Sequence, residues 1–301
     1  MEKLIKKLNA VMASENIRLN EPMKNYTSFK VGGPVDILLM PQTKQEVAEA
    51  LSICRETDIP LYIMGNGSNL LVQDGGVRGI ILQTKALKQV EIDGDNLMAE
   101  PGITLKDLAD IALAQNLTGL EFASGIPGTL GGAVTMNAGA YDGEMKNIVA
   151  SIEVINENGN LKTIPLEACD FGYRSSVLQK YGWLLIGINL NLRKGDYNEI
   201  KNKMMDFNAR RQEKQPLEYP SAGSTFRRPE GYYAGKLVQD AGFRGYCIGG
   251  AQVSEKHSGF VINKGDATAA DILALIAAIQ AGVKEKFGVE LATEVIVIGE
   301  P

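Results

Sequence analysis

Between residues 119 and 141 the chain reads GLEFASGIPGTLGGAVTMNAGAY, with glycines at Gly119, Gly125, Gly128, Gly131, Gly132 and Gly139 and one more at Gly143 just beyond. Glycine loses more conformational freedom on folding than any other residue. A run this rich in it, almost without charge and in the middle of a folded region, therefore needs a ligand or tight packing to order it. Small side chains let main chain approach something flat or phosphorylated, and a buried glycine-rich crossover fits the same residues.

The flanking sequence alternates strand and helix signals: VDILLM (35–40), KQEVAEALSICRE (44–56), LYIM (61–64) and GIILQT (79–84). That is α/β or α+β organisation. QVEIDGDNLMAE predicts a hairpin turning at Asp93-Gly94, followed by a helix with Leu105, Leu108, Ile111 and Ala112 on one face; SIEVINENGNLKTIP predicts another turning at Asn158-Gly159. After the strand-like WLLIGINLNLR (183–193) the composition shifts to a polar, charged helix, which places a boundary near Lys194 to Asp196. With 301 residues, two or three domains are expected, burying about 75% of the unfolded surface. Near the end, Thr268 and Asp271 open a helix with an apolar stripe at Ile272, Leu275, Ile276, Ile279 and Val283. In LATEVIVI (291–298), alternation puts Ala292, Glu294, Ile296 and Ile298 on one face, a carboxylate in an otherwise apolar row.

Several function classes drop out. Cys54, Cys169 and Cys247 are far apart and show no zinc spacing, so a reducing cytoplasm is the simplest compartment. The N-terminal apolar residues have helical spacing broken by charge, and runs such as WLLIGI fall far short of the roughly 20 residues that span a bilayer. A net charge of −5 with mixed signs gives no basic field for nucleic acid. GNGSNLLV (65–72) follows LYIM, yet Leu70 stands where a dinucleotide fingerprint needs its third glycine, and Gly235-Lys236 is followed by Leu237 where a Walker loop needs a hydroxyl. What remains at Asn66, Ser68 and Asn69 is an anion nest or an ordinary Gly/Asn turn.

SAGSTFRRP (221–229) sets Ser224 between a glycine and a threonine, upstream of two arginines. A nucleophilic serine needs a base, and the chain has one histidine, His257. A turn serine is the commoner fate of such a residue.

Taken in order, NYTSFKVGG (25–33), GNGSNLLV, GIPGTLGGAVTMNAGAY, YRSS (173–176), SAGSTFRRP and TEVIVIG (293–299) resemble the UDP-N-acetylenolpyruvoylglucosamine reductases (MurB) of peptidoglycan precursor synthesis over essentially the whole chain. One departure is Asp142, which displaces the block's last glycine to Gly143. The resemblance implies an α+β fold. Residues 1–194 would be a vanillyl-alcohol-oxidase-like (PCMH-type) FAD-binding part with subdomains of about 1–84 and 85–194, followed by a smaller α/β substrate-binding domain, 195–301. It implies non-covalent FAD held by Tyr26, Ser28, Asn66, Gly67, Ser68, Asn69, Gly125, Ile126, Gly128, Thr129, Gly132 and Ala133, with NADPH as co-substrate. The passage from Arg193 through GDYNEI into a helix resembles the branch lacking an extra substrate-covering tyrosine loop.

The implied reaction adds hydride and a proton to an enolpyruvyl alkene. Ser224 resembles the proton donor, which needs no base, because an enolate is basic and a nearby cation stabilises the alkoxide left behind. Arg174 resembles the arginine that binds the substrate carboxylate, against the plain reading of a solvated arginine after a turn; Glu294 resembles the third catalytic residue, against a strand-edge acid in an ion pair. Arg227, Arg228 and Lys236 are placed to bind the UDP diphosphate or to form surface ion pairs, and Tyr233 to stack on uracil or to pack. His257 either reaches substrate or is structural. Rival readings are a flavin oxidase of the same fold and a non-catalytic nucleotide-binding module. A monomer in the cytoplasm, with no nucleic-acid or membrane partner and no metal, is expected.

Overall fold

The computed structural model describes residues 2–301. The chain forms two compact units: the first comprises the chain up to Arg18, Ile37–Asn66 and Ile80–Arg211, the second Leu19–Asp36, Gly67–Gly79 and Gln212–Pro301. Both mix helices with sheet, as the α+β expectation requires.

In the first unit the strand Leu61–Met64 runs parallel to Val77–Gln83, with Leu61 facing Ile80 and Met64 facing Gln83. Helix Lys44–Arg55 starts where the Thr43 hydroxyl accepts from Glu46 N at 3.1 Å. Its Val47, Ala50, Leu51 and Cys54 pack with Leu4, Leu8, Ile37, Leu39, Ile80 and Leu82 into one core. A second sheet is antiparallel, in the order Leu161–Pro165, Val149–Ile155, Leu184–Asn191, Asn96–Ala99, Val90–Asp93. Its middle strand explains WLLIGI: Leu184 and Ile186 enter the first core, while Leu185, Ile188 and Leu190 enter another with Leu97, Leu105, Leu108, Leu130 and Ile152. A strand buried on both faces reads as a continuous apolar run.

Both hairpins form. Asp93 faces Asn96 across a two-residue loop with Gly94 at φ +61°. The second loop is organised by Asn156, whose side-chain oxygen accepts from Asn158 N at 3.0 Å and Asn160 N at 2.9 Å. Helix Leu105–Ala114 buries Leu105, Leu108, Ala109 and Ala112, with Ile111 only partly covered. Helix Tyr197–Lys214 buries Ile200 and Met204 in the second core, so the compact division falls between Arg211 and Gln212 and does not coincide with the compositional shift at 194–196.

The second unit is built on helix Ala269–Phe287, whose Ile272, Leu275, Ile276, Ile279 and Val283 pack with Phe29, Leu71, Phe226, Val253 and Val261. The antiparallel strands Cys247–Ile248, Ala251–Val253 and Val261–Asn263 cover it, and Leu70–Val72 runs parallel to Ile296–Ile298. The terminal strand is shorter than the alternation predicts, and its apolar row faces outward: Ile296 is 40% exposed, whereas Leu291 and Val295 are buried. Backbone pairing to Leu70–Val72, rather than burial of that face, fixes it. No helix among the described residues is long and apolar enough to cross a membrane.

The helix start is a capping box. Thr268 Oγ1 accepts from Asp271 N at 3.0 Å, and the Asp271 carboxylate accepts from Thr268 N at 3.0 Å and Gly250 N at 3.2 Å. These donors hold the Asp271 carboxyl below the usual carboxylate range, the Thr268 N–H contributing most. Asp271→Ala is expected to cost about 1–2 kcal/mol at neutral pH. A carboxyl depressed in the folded state stabilises above its unfolded pKa, so the gap in Tm between parent and variant should narrow in acid, below about pH 4. A gap that is independent of pH would contradict the cap.

Candidate active site

The glycine-rich segment of the first unit is held by backbone contacts. Gly131 N donates to Pro101 O at 2.8 Å, Leu105 N donates to Gly128 O at 3.1 Å, and buried Thr129 opens helix Leu130–Thr135 by accepting from Gly132 N at 3.4 Å. The strand Leu61–Met64 delivers Gly65 against this turn, so closely that a Cβ on Gly65 would lie 2.3 Å from Thr129 Oγ1. The structure thus brings the two glycine segments together at Gly65 and Thr129. Ala133 is buried, Ile126 packs at the edge of the core, and Gly132 is exposed, with room for a Cβ at an ordinary 3.6 Å from Thr129 Oγ1.

Beside Gly125 lies a cation that sequence reasoning missed. A Cβ on Gly125 would lie 2.3 Å from Asn208 Oδ1 and 3.2 Å from Arg211 Cδ, and Arg211 Nε is buried without a hydrogen-bond partner. Burial lowers the Arg211 pKa from the ordinary arginine value, which a partly opposing influence of Tyr141 does not cancel. An unpartnered, desolvated guanidinium fits an anionic group. The signal was legible: Ile200, Met204, Phe207 and Arg211 follow helical spacing, so an arginine occupies the apolar stripe of an otherwise polar helix.

The displaced glycine also has an account. Gly139–Ala140 and Gly143–Glu144 pair through a two-residue loop, Tyr141-Asp142, in which both residues have positive φ, +50° and +65°. Aspartate tolerates that conformation. Tyr141 is fixed there by stacking on Phe207 at 4.4 Å and donating its hydroxyl to Phe207 O at 3.0 Å.

Arg174 lies in a tight turn, with Gly172 N donating to Ser175 O at 3.1 Å and Ser175 N donating to Gly172 O at 3.4 Å. Its φ is +56°, a conformation that turns ordinarily give to glycine or asparagine, at a cost of about 1–3 kcal/mol for other residues. The guanidinium lies 5.5 Å from the Tyr173 ring.

In the second unit, Ser224 is exposed on a firmly held segment. Ala222, Thr225 and Phe226 are buried around it, and Gly223 takes φ +77°. Thr225 N donates to Gly259 O at 2.9 Å, and Thr225 Oγ1 accepts from Val261 N at 2.9 Å. Its carbonyl accepts from Glu294 N at 2.8 Å, which joins the serine's neighbour to the Glu294 backbone. Asn69 ties in as well: its Nδ2 donates to Glu294 O at 3.1 Å and its carbonyl accepts from Ile296 N at 3.0 Å. Ser28 N donates to Gly67 O at 3.2 Å, while a Cβ on Gly67 would lie 2.3 Å from Tyr26 O. Sequence segments more than two hundred residues apart are thus assembled by main-chain bonds.

The remaining candidates have local partners. Arg228 lies 4.1 Å from the Tyr233 ring and its Nε donates to Tyr232 O at 3.2 Å. Lys236 pairs with Asp240 at 2.5 Å on helix Ala234–Asp240. Arg227 is exposed, its N–H fixed to Ala292 O at 2.9 Å. His257 Nδ1 accepts from Gly259 N at 3.0 Å, which puts the ring proton on Nε2, and the ring meets Phe260 edge-on at 5.0 Å.

Residues 215–298 match the model of the UDP-N-acetylenolpyruvoylglucosamine reductase C-terminal domain, and residues 35–164 match that of an FAD binding domain. The chain is 52% identical over 299 residues to the UDP-N-acetylenolpyruvoylglucosamine reductase of Caldanaerobacter subterraneus subsp. tengcongensis, covering 99% of each chain. It is 53% identical over 290 residues to that of Clostridium botulinum, covering 96% of this chain and 95% of the relative. The crystal structure of MurB from Thermus caldophilus matches with a TM-score of 0.81 at 34% identity, over 93% of this chain and 99% of that one. A variant of berberine bridge enzyme matches with a TM-score of 0.50 at 15% identity, over 64% of this chain and 44% of that one, a likeness of fold alone. With relatives more than half identical along almost its entire length, the chain belongs to the UDP-N-acetylenolpyruvoylglucosamine reductase family.

Proposed function

We propose that this protein reduces the enolpyruvyl group of UDP-N-acetylenolpyruvoylglucosamine to give UDP-N-acetylmuramate, with FAD as cofactor and NADPH as co-substrate, in peptidoglycan precursor synthesis. The residues fit the cofactor: two glycine segments meet at Gly65 and Thr129, and Arg211 holds a buried, unpartnered Nε beside Gly125. Gly125, Ile126, Gly128, Thr129, Gly132 and Ala133 would line the flavin and its phosphates, with Tyr26, Ser28, Asn66, Gly67, Ser68 and Asn69 as further contacts and Arg211 as an additional anion partner. Asn69 would contribute main chain, because its side-chain amide is committed to Glu294 O. When bound, FAD supplies hydride transfer from the nicotinamide to the alkene.

The chain's own residues handle the charge and the proton. As hydride reaches one alkene carbon, the other becomes a carbanion conjugated with the substrate carboxylate. Arg174 is assigned to that carboxylate, since a guanidinium offers two parallel donors, and Glu294 to polarising it. Ser224 gives its hydroxyl proton to the carbanionic carbon and is reprotonated from solvent. The observation that carries this assignment is an exposed serine whose neighbour, Thr225, is buried and bonded to the Glu294 backbone at 2.8 Å. Such a serine stands on a fixed backbone, and giving up a proton to a basic carbon requires no adjacent base, which suits an acid and not a nucleophile.

Arg227 and Arg228 are assigned to the diphosphate and Tyr233 to the uracil. Lys236 joins them by exchanging Asp240 for phosphate, an exposed pair worth about 0–1 kcal/mol and easily given up. The direct run from Arg193 into the helix at Tyr197 suits the family branch without the extra tyrosine loop. A cytoplasmic enzyme is proposed, since its nucleotide substrates are cytoplasmic and its three cysteines are free thiols; a monomer remains the expectation.

Ser224→Ala tests the mechanism. NADPH should still bleach the bound flavin at the parent rate, while recovery of the colour by the UDP-enolpyruvyl sugar should slow by about 100–10,000-fold. Recovery at the parent rate would remove Ser224 from the mechanism. His257 is assigned a structural role, anchoring Gly259. Burial lowers its pKa below the ordinary histidine range, so the unfolded chain binds the proton first. Its stabilisation is complete above about pH 6.5 and is lost as pH falls towards the folded value. His257→Asn keeps an acceptor for Gly259 N and cannot titrate. Its Tm should therefore fall less than the parent's between about pH 7 and pH 5.5, and equal falls would assign the titration elsewhere.

A further inference from the structure

The Arg174 turn is tied to the glycine-rich segment by one buried carboxamide. Asn137 is 2% exposed and has φ +41°. Its Nδ2 donates to Gly172 O at 3.1 Å and to Glu144 Oε2 at 2.8 Å, and its Oδ1 accepts from Lys146 N at 2.9 Å. These partners fix the amide orientation, since two oxygens face Nδ2 and one N–H faces Oδ1. A second tie lies just C-terminal to the turn, where Ser176 Oγ donates to Thr135 O at 2.8 Å.

Gly172 is the first residue of the turn, and its carbonyl receives both Asn137 Nδ2 and Ser175 N. The turn is otherwise outward-facing, with Tyr173 57% exposed and Ser175 exposed. An arginine at positive φ in an exposed turn relaxes unless its surroundings over-determine it. Here the over-determination comes from Thr135 and Asn137, at the end of the helix that Thr129 opens. Both ends of Asn137's role are thus polar and specific. A residue needed only to fill the core would be apolar, and three satisfied hydrogen bonds to two segments, 144–146 and Gly172, make a hub.

We propose that Asn137 is a positioning residue for Arg174: its carboxamide holds the Gly172–Ser175 turn in the strained conformation that presents the guanidinium to the substrate carboxylate. The proposal rests on the assignment of Arg174 made above. It also gives the asparagine of TMNAGAY a task distinct from contact with the cofactor.

The test separates the two halves of the reaction in the flavin-loaded enzyme. In Asn137→Ala, anaerobic reduction by NADPH should stay within about twofold of the parent, while reoxidation by UDP-N-acetylenolpyruvoylglucosamine should slow by about 10–100-fold, as misplacement of a charged group predicts. In an Arg174→Ala background the same change should slow reoxidation by no more than about twofold further, because a residue acting through Arg174 has nothing left to position. Equal slowing of both half-reactions, or slowing that multiplies in the double variant, would overturn the proposal. Arg174→Ala reoxidised at the parent rate would instead bring down the assignment of Arg174, and this inference with it. Should Asn137→Ala not yield a folded flavoprotein, Asn137→Asp keeps the shape and the acceptor but lacks both donors. The same loss of reoxidation supports the proposal, and parent-like reoxidation overturns it.

Discussion

Main-chain contact too close for any side chain is what the candidate site depends on. In the first unit a Cβ on Gly65 would stand 2.3 Å from Thr129 Oγ1; in the second, one on Gly67 would stand 2.3 Å from Tyr26 O, at φ +63°. Alanine at 67 would have to move backbone, and alanine at 65 would push the Thr129 hydroxyl out of its place as helix cap. The consequence is that Thr129 caps its helix while touching a strand end, and that Gly67 O is free to accept Ser28 N. Glycine's entropic cost of about 0.5–1 kcal/mol per residue is offset by these contacts, which only glycine allows. The opening segment's choice between ligand and packing is therefore not exclusive. Gly65, Gly125 and Gly131 are glycines because neighbours crowd them, whereas Gly132 is exposed and would take a Cβ at ordinary contact distance.

What could be read from the sequence follows from how local each signal is. Hairpins at Gly94 and Gly159, the stripe of helix Ala269–Phe287 and the doubly buried strand Leu184–Asn191 are set by neighbours within a few residues, and they formed as read. The terminal strand misled because period-two alternation marks a face without saying which face is covered. Ile296 is outward, and pairing to Leu70–Val72 decides the strand's place. The compositional break at 194–196 reflects the exposed surface of helix Tyr197–Lys214, while its buried Ile200 and Met204 decide where it packs. Arg211 was hidden by the charged residues around it, although its spacing on the buried stripe set it apart. The tie between Asn69 and Glu294 joins residues 225 positions apart and leaves no trace in a single sequence.

The candidate catalytic groups share a design in which the residue itself is exposed or strained and its neighbours are over-fixed. Thr225 makes three hydrogen bonds, to Gly259, Val261 and Glu294, and is fully buried, while Ser224 beside it faces outward. Because Thr225 is bonded through its main chain and its own hydroxyl, Ser224 carries none of the load and its hydroxyl stays available for proton transfer. A serine acting as an acid gains from this arrangement. Its difficulty is a high pKa, which positioning against a strongly basic carbon overcomes, so rigidity serves it better than an adjacent base.

Arg174 makes the same point from the side of stability. A positive φ at arginine costs about 1–3 kcal/mol, against a total of about 5–15 kcal/mol for a folded domain, so the strain is tolerable only if the rest of the unit is well packed. The two cores of the first unit supply that margin, since each fully buried leucine or isoleucine contributes about 1.5–3 kcal/mol relative to exposure. Substituting glycine at 174 would relieve the strain and remove the guanidinium together. Retaining arginine at a position where glycine is easier places the benefit in the side chain's chemistry and not in the turn.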